Sequence, residues 1–353
     1  MASAPTQGLV FPERRAGLLR LLPAALALPL LTGFVGCGGE DGRPPKESAF
    51  VARRQAAVRA ELSPRSDIVA QLPFGAEVEV VDRRRSLTRI RSSSAEGWVR
   101  SAYLVPPPVK SEMDRLRRTA SRQPSQGQMR AFESTNVHVR PERSSPTVYQ
   151  LEADEPAELL TRRATEAPGG KRLEDWYLLR LAGGQAGWVL ARRVYPALPL
   201  EVAQYAGGRR IVSYYLLDEV VDEASGESKA TWLWTQTGGS GRPYDFDAFR
   251  VFRWSSARGA YHAAAFQHGL AGFLPVQVDL RHDGQKAPSF RLKVEREGVL
   301  VVEEYTLRGH RVRLVSQTPA PEAAPAPAPP PEPTLREATF KDRLRSWWVS
   351  WSR

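Results

Sequence analysis

The chain has 353 residues, 42% hydrophobic and 25% charged, enough for two or three domains that each bury a core. Its formal net charge of +11 calls for an anionic counterpart, but the basic residues run along the whole length without one dense block, which argues against nucleic acid. A single cysteine excludes an intramolecular disulfide and a zinc knuckle.

The N-terminal segment "PERRAGLLR" carries Arg14, Arg15 and Arg20, and the uncharged, mostly apolar run "LLPAALALPLLTGFVG" follows it. At about 16 residues with two prolines, that run is short for a membrane-spanning helix and reads as the apolar region of an export signal. Phe34, Val35 and Gly36 before Cys37 resemble a bacterial lipobox, with Phe34 standing where that family prefers Leu. The resemblance implies that residues 1–36 are removed as a lipoprotein signal peptide. Cys37 would then become a lipid-bearing N-terminus that holds the protein at a membrane. Gly38 rather than Asp after the cysteine implies, by the same family's sorting rules, the periplasmic face of an outer membrane or the cell surface. Residues 37–54 read as a flexible tether.

Two stretches further on can be laid over each other. "DIVAQLPFGAEVEVV" (67–81) matches "PTVYQLEADEPAELL" (146–160), with Gln71-Leu72 on Gln150-Leu151 and Val80-Val81 on Leu159-Leu160. Both units then close on Gly-Trp-Val, at Gly97-Trp98-Val99 and Gly187-Trp188-Val189. Short alternating runs between Gly, Pro, Asp and Ser predict small antiparallel barrels over 55–106 and 132–197, joined by a basic helix and linker over 107–131. Val58-Arg59, Asn136-Val137, Val139-Arg140, the Leu72 to Gly75 turn, Trp176 to Leu179 and Tyr103-Leu104 resemble the bacterial SH3 (SH3b) family. Leu87 replaces the first family tryptophan in unit one, and Asp154 replaces the turn glycine in unit two. The resemblance implies binding of a ligand. Trp98, Trp176, Trp188 and Tyr103 are the candidate contacts, although tryptophans at such places pack as core more often than they bind.

Residues 198–317 hold eight strand candidates, from "RRIVSYYLLDEVV" to "HRVRLVS", with Gly-containing turns between them, and predict an antiparallel meander or sandwich. Thiol catalysis is removed if Cys37 carries lipid. Only five histidines occur, and His262 and His268 on one strand stand about 20 Å apart, so no metal site or cofactor is expected; His282 and His310 sit next to turns. Asp245 and Asp247 in "GGSGRPYDFDAF" are a carboxylate pair at spacing two that could serve a cation or acid–base work, against the plainer reading of a hairpin loop.

Eight prolines fall within residues 318–334, predicting a stiff spacer. In 335–353 a helical reading places Phe340, Leu344, Trp347, Trp348 and Trp351 on one face of a basic amphipathic helix, suited to a membrane surface, a partner groove or the third domain. The sequence thus predicts a mainly β protein: two tandem SH3-like small barrels, an antiparallel meander or sandwich, a Pro-rich linker and a short amphipathic helix. The expected function is non-catalytic binding of cell-wall peptidoglycan or an envelope protein by a lipid-anchored protein that is not an enzyme. The alternatives are a hydrolase with its site around Asp245 and Asp247, or an assembly factor gripping a partner through its C-terminal domain and tail.

Overall fold

Apolar residues at every second position decide which face of each strand turns inward. In the computed structural model, which describes residues 47–170, 172–280 and 287–321, this patterning yields three antiparallel sheets of seven strands each. The first contains β1 (Ser48–Val51), β2 (Gln55–Arg59), β3 (Ile68–Pro73), β4 (Glu77–Arg84), β5 (Leu87–Arg91), β6 (Glu96–Arg100) and β7 (Leu104–Val105). Ala56, Val58, Val78, Ile90 and Val99 point from four of these strands into one small core.

Helix α1 (Pro107–Ala120) follows at once. Prolines at its first turn lose no hydrogen bond there, Lys110 pairs with Asp114 one turn on, and Arg117 and Arg118 sit at the negative end of the helix dipole. Met113 and Ala120 are its buried residues.

The second sheet contains β8 (Gln128–Ala131), β9 (Thr135–His138), β10 (Thr147–Leu151), β11 (Pro156–Glu166), β12 (Leu173–Leu181), β13 (Ala186–Leu190) and β14 (Val194–Pro196). Its strand order, β10-β9-β13-β12-β11-β8-β14, is that of the first sheet, β3-β2-β6-β5-β4-β1-β7, with seven added to each number. The repeat in the sequence is therefore a repeat of topology. Ile90 faces Gly97 across β5 and β6 as Leu179 faces Gly187 across β12 and β13, which equates Leu87 with Trp176 and Trp98 with Trp188.

Glycine in both Gly-Trp-Val segments has a steric cause. A Cβ on Gly97 would lie 2.4 Å from the Arg59 carbonyl oxygen, and one on Gly187 would lie 2.4 Å from Val137 Cγ1. Neither approach leaves room for a methyl group. At the repeated turn, Gly75 and Asp154 both adopt left-handed backbone, with φ of 80° and 58°, so the aspartate keeps the turn that the glycine makes.

After the short α2 (Leu200–Ala203), the third sheet is a meander in strict chain order: β15 (Arg210–Val221), β16 (Ser228–Thr237), β17 (Phe246–Ser255), β18 (Ala260–Asp279), β19 (Ser289–Arg296), β20 (Val299–Arg308) and β21 (Arg311–Pro319). Seven strands stand where eight were expected. "AYHAAAFQ" and "FLPVQVDL" are two halves of β18, which pairs with β17 through its first half and with β19 through its second. Phe249, Phe290 and Tyr305 pack ring against ring in the core of this sheet.

Two four-residue strands fall where tether and linker were read: β1 within 37–54 and β8 within 107–131. At four residues neither shows enough alternation to be distinguished from a polar connector. The lipobox with Cys37, the Pro-rich stretch beyond Pro321, and Phe340, Leu344, Trp347, Trp348 and Trp351 lie outside the described residues. Among the described residues no helix is long and apolar enough to cross a membrane.

Candidate functional site

The structure separates the aromatic residues singled out by the repeat. In the first module Trp98 and Tyr103 share a groove of about 260 Å³ with Leu62, Leu87, Arg59 and Arg100. Arg53 lies over the Tyr103 ring at 4.8 Å. In the second module Trp176 and Trp188 are 1% and 6% exposed, packed with Leu160, Leu178 and Ala186 under Leu116 and Ala120 of α1. Trp176 and Trp188 are core residues and offer no ligand platform.

Asp245 and Asp247 are not paired with each other; each has its own arginine. Asp247 accepts from Arg209 and from the Gly238 N–H at 2.9 Å. Asp245 accepts from the Leu274 N–H at 2.8 Å and lies 3.3 Å from Arg162 Nη1. Burial pushes the Asp245 pKa above the ordinary aspartate value, while the Leu274 N–H and Arg162 pull it back. Arg162 is buried, reaching out from β11; it donates to Asp175 Oδ1 at 2.6 Å and to the carbonyl oxygens of Tyr244 at 2.7 Å and Arg242 at 3.1 Å. A buried Gln126 makes a second bridge, its Oε1 accepting from the Tyr215 hydroxyl and from the Val276 N–H at 2.8 Å. These contacts fasten the second module to the third sheet.

The face built around that seam is a cleft with two lobes, about 540 Å³ and 490 Å³, which share Arg192, Arg210 and Ser240. Arg192 stands on the turn after β13, and Arg210 opens β15, so each module contributes one cation. Arg209 joins them in the larger lobe, whose wall includes Met129, Tyr177, Ile211 and the glycines Gly238 and Gly239. The side chains of Arg192, Arg209 and Arg210 remain 44%, 37% and 36% exposed.

Two acids that line the smaller lobe, Glu174 and Asp175, hold Arg192 and Arg210. Glu174 accepts from Arg143 at 2.8 and 2.5 Å and from Arg192 at 2.9 Å. The Arg143 hydrogen bonds, and then those of Arg192, bring its carboxyl down to about 2, so it is a carboxylate at any physiological pH. Asp175 Oδ2 lies 4.0 Å from Arg210 Nη1. Burial pushes Tyr177 up to about 12, so it borders the cleft as a neutral phenol. A guanidinium has five donors in a planar fork, and one bound acid leaves the others for an incoming anion. The arrangement suits a carboxylate or phosphate group gripped from two sides.

Sequence reading found the aspartates but not the cleft. Its arginines come from adjacent pairs, Arg192-Arg193 and Arg209-Arg210, that belong to no motif in the sequence. The structure buries Arg162, Glu174 and Asp175 on strands, which charged residues tolerate only when paired, and burial of this kind is not written in the sequence.

Among the described residues no group of three or more His, Cys, Asp or Glu is placed to hold a metal ion. His262 lies on β18 with His310 at 6.2 Å, while His268 is exposed further along the strand beside Phe266.

No family model and no curated protein matches the sequence. Among solved structures, an NlpC/P60 family protein from Bacillus cereus is similar at 13% identity and a TM-score of 0.20, over 42% of this chain and 56% of that one. NlpC1 from Trichomonas vaginalis is similar at 12% identity and a TM-score of 0.17, over 72% of this chain and 89% of that one. NlpC2 from the same organism is similar at 10% identity and a TM-score of 0.16, over 78% and 97%. The chain thus spans little over half of the Bacillus cereus protein. NlpC/P60 is a cell-wall peptidase family, and the expectation of a non-catalytic, non-enzymatic binder is withdrawn on this finding. At these TM-scores no residue of this chain takes its role from the neighbours.

Proposed function

We propose that the protein is an exported hydrolase of the cell envelope that takes an anionic wall substrate in the cleft between its second and third sheets. The observation that carries this reading is the convergence of Arg192 and Arg210, from two different modules, on one cleft, with Arg209 beside them. Wall peptides carry free carboxylates, and acid-held arginines with exposed donors are matched to them. Recognition is the part of the reaction assigned to named residues. The described residues contain no cysteine, so a thiol nucleophile is not among them.

The reading includes anchoring through lipid on Cys37, supported by the charged, apolar and small-residue order that precedes it. It also takes the first two modules as SH3-like barrels. Their shared strand order and the two glycines that admit the β2 and β9 backbones support that likeness. Under this reading the barrels serve as scaffold: the second contributes Arg192 and the acids Glu174 and Asp175 that line the smaller lobe.

The test is release of dye from labelled peptidoglycan by the full chain. Wild type is expected to release dye, and Arg192→Ala/Arg210→Ala is expected to lose at least about tenfold, since each charge-assisted contact is worth roughly 1.5–3 kcal/mol. No release by the wild type, or equal release by both, sinks the proposal.

A further inference from the structure

α1 covers the second module through Leu116 and Ala120, which close over Trp176 and Trp188. On the first module the corresponding face has no such cover among the described residues. Trp98 is only half-buried, Leu62 is 49% exposed, and Val81, which answers Leu160, is 40% exposed. The open face includes the groove at Leu87, Trp98 and Tyr103.

The chain contains a second copy of the helix's contact sequence. Asp114-Arg115-Leu116-Arg117 of α1 recurs as Asp342-Arg343-Leu344-Arg345 near the C-terminus. In that alignment Leu344 falls on Leu116 and Trp348 falls on Ala120. The size change is reciprocal. Where the second module presents Trp176 to a helix with Ala120, the first presents the smaller Leu87, and the tail offers Trp348. A large side chain on one partner facing a small one on the other fills the same space.

We propose that residues 335–353 dock on the first module of the same chain as α1 docks on the second, with Leu344 and Trp348 over Leu87 and Trp98. The first module is more polar there, with the Arg89–Glu96 pair where the second has Leu178 and Ala186. The tail matches this, with Glu337 and Lys341 at the places of Val109 and Met113. The intervening stretch 322–334 reaches up to ~40 Å at ~3.1 Å per residue. The docking is independent of the arginine cleft and stands or falls without it.

Hydrogen exchange on the full chain tests this. Peptides covering 57–64 and 96–103 are expected to exchange about tenfold slower in wild type than in Leu344→Asp/Trp348→Asp. Peptides of α1 should be unchanged. Leu87→Trp, which gives the first module the bulk of the second, should crowd out Trp348 and release the same peptides. Equal exchange in wild type and the double variant overturns the proposal. Protection that grows with protein concentration overturns it in favour of a second copy. A tail protected only when phosphatidylglycerol vesicles are added overturns it in favour of a membrane.

Discussion

The first and second modules share one strand order and the same close-approach glycine, yet they differ in what lies against them. The second is enclosed, with α1 over its tryptophan face and the third sheet fastened to it by Arg162 and Gln126. Among the described residues the first leaves its corresponding tryptophan half-exposed, in the wall of a groove. The two modules share what the backbone requires and differ at their surfaces. Charge follows the same division: the second module buries Arg162, Glu174 and Asp175, whereas the ion pairs of the first, such as Arg83–Glu47 and Arg91–Glu96, lie on the surface. Surface pairs contribute little to stability, so the acids that matter to the fold belong to the second module.

The comparison can be broken most forcefully at the paired tryptophan and leucine. In the Leu344→Asp/Trp348→Asp background, Trp176→Ala is expected to cost about 3–5 kcal/mol, and Leu87→Ala, half-buried there, only about 1–2 kcal/mol, read from denaturant midpoints at unchanged slope. Similar losses at the two positions would contradict the difference in enclosure. The glycines probe what the modules share. Gly97→Ala and Gly187→Ala should each cost about 2–3 kcal/mol, because neither neighbour leaves space for a Cβ. A large loss in one module alone would mean that the repeat is not structural.

A smaller effect distinguishes the modules by acid titration. The Glu174 carboxyl falls from 4.5 to about 2 in the folded chain. A depressed carboxylate contributes stability above its unfolded pKa and loses it as pH falls through the folded one. The full linkage is about 3 kcal/mol, but Arg143 and Arg192 are 40% and 44% exposed and screened by water, so wild type should lose on the order of 1–2 kcal/mol between about pH 4.5 and pH 2 that Glu174→Gln does not lose. The smallest effect is expected at Trp98→Ala in the Leu344→Asp/Trp348→Asp background, about 1 kcal/mol or less in thermal unfolding, since without the docked tail that ring is partly hydrated.

Much of this architecture was legible because period-two patterning and a repeat both report on backbone. The Gly-Trp-Val pair located β6 and β13, and Asp154 in the place of Gly75 was consistent with the turn that both make. β1 and β8 were lost because four residues carry too little pattern, and β18 was split in two because nothing local marks its continuity. The aspartates Asp245 and Asp247 were visible, but parity along a strand says nothing about which arginine each will meet. The cleft itself was hidden for the same reason. Arg162 and Asp175 come together across a hairpin, and Arg192 and Arg210 come together only when two modules meet.

The central claim, that the cleft recognises carboxylates, is tested most directly by calorimetric titration of a synthetic wall stem peptide into the full chain. The account predicts binding that weakens at least about tenfold when the peptide's carboxylates are amidated and, separately, in Arg192→Ala/Arg210→Ala. Equal affinity for the free and amidated peptides would contradict it.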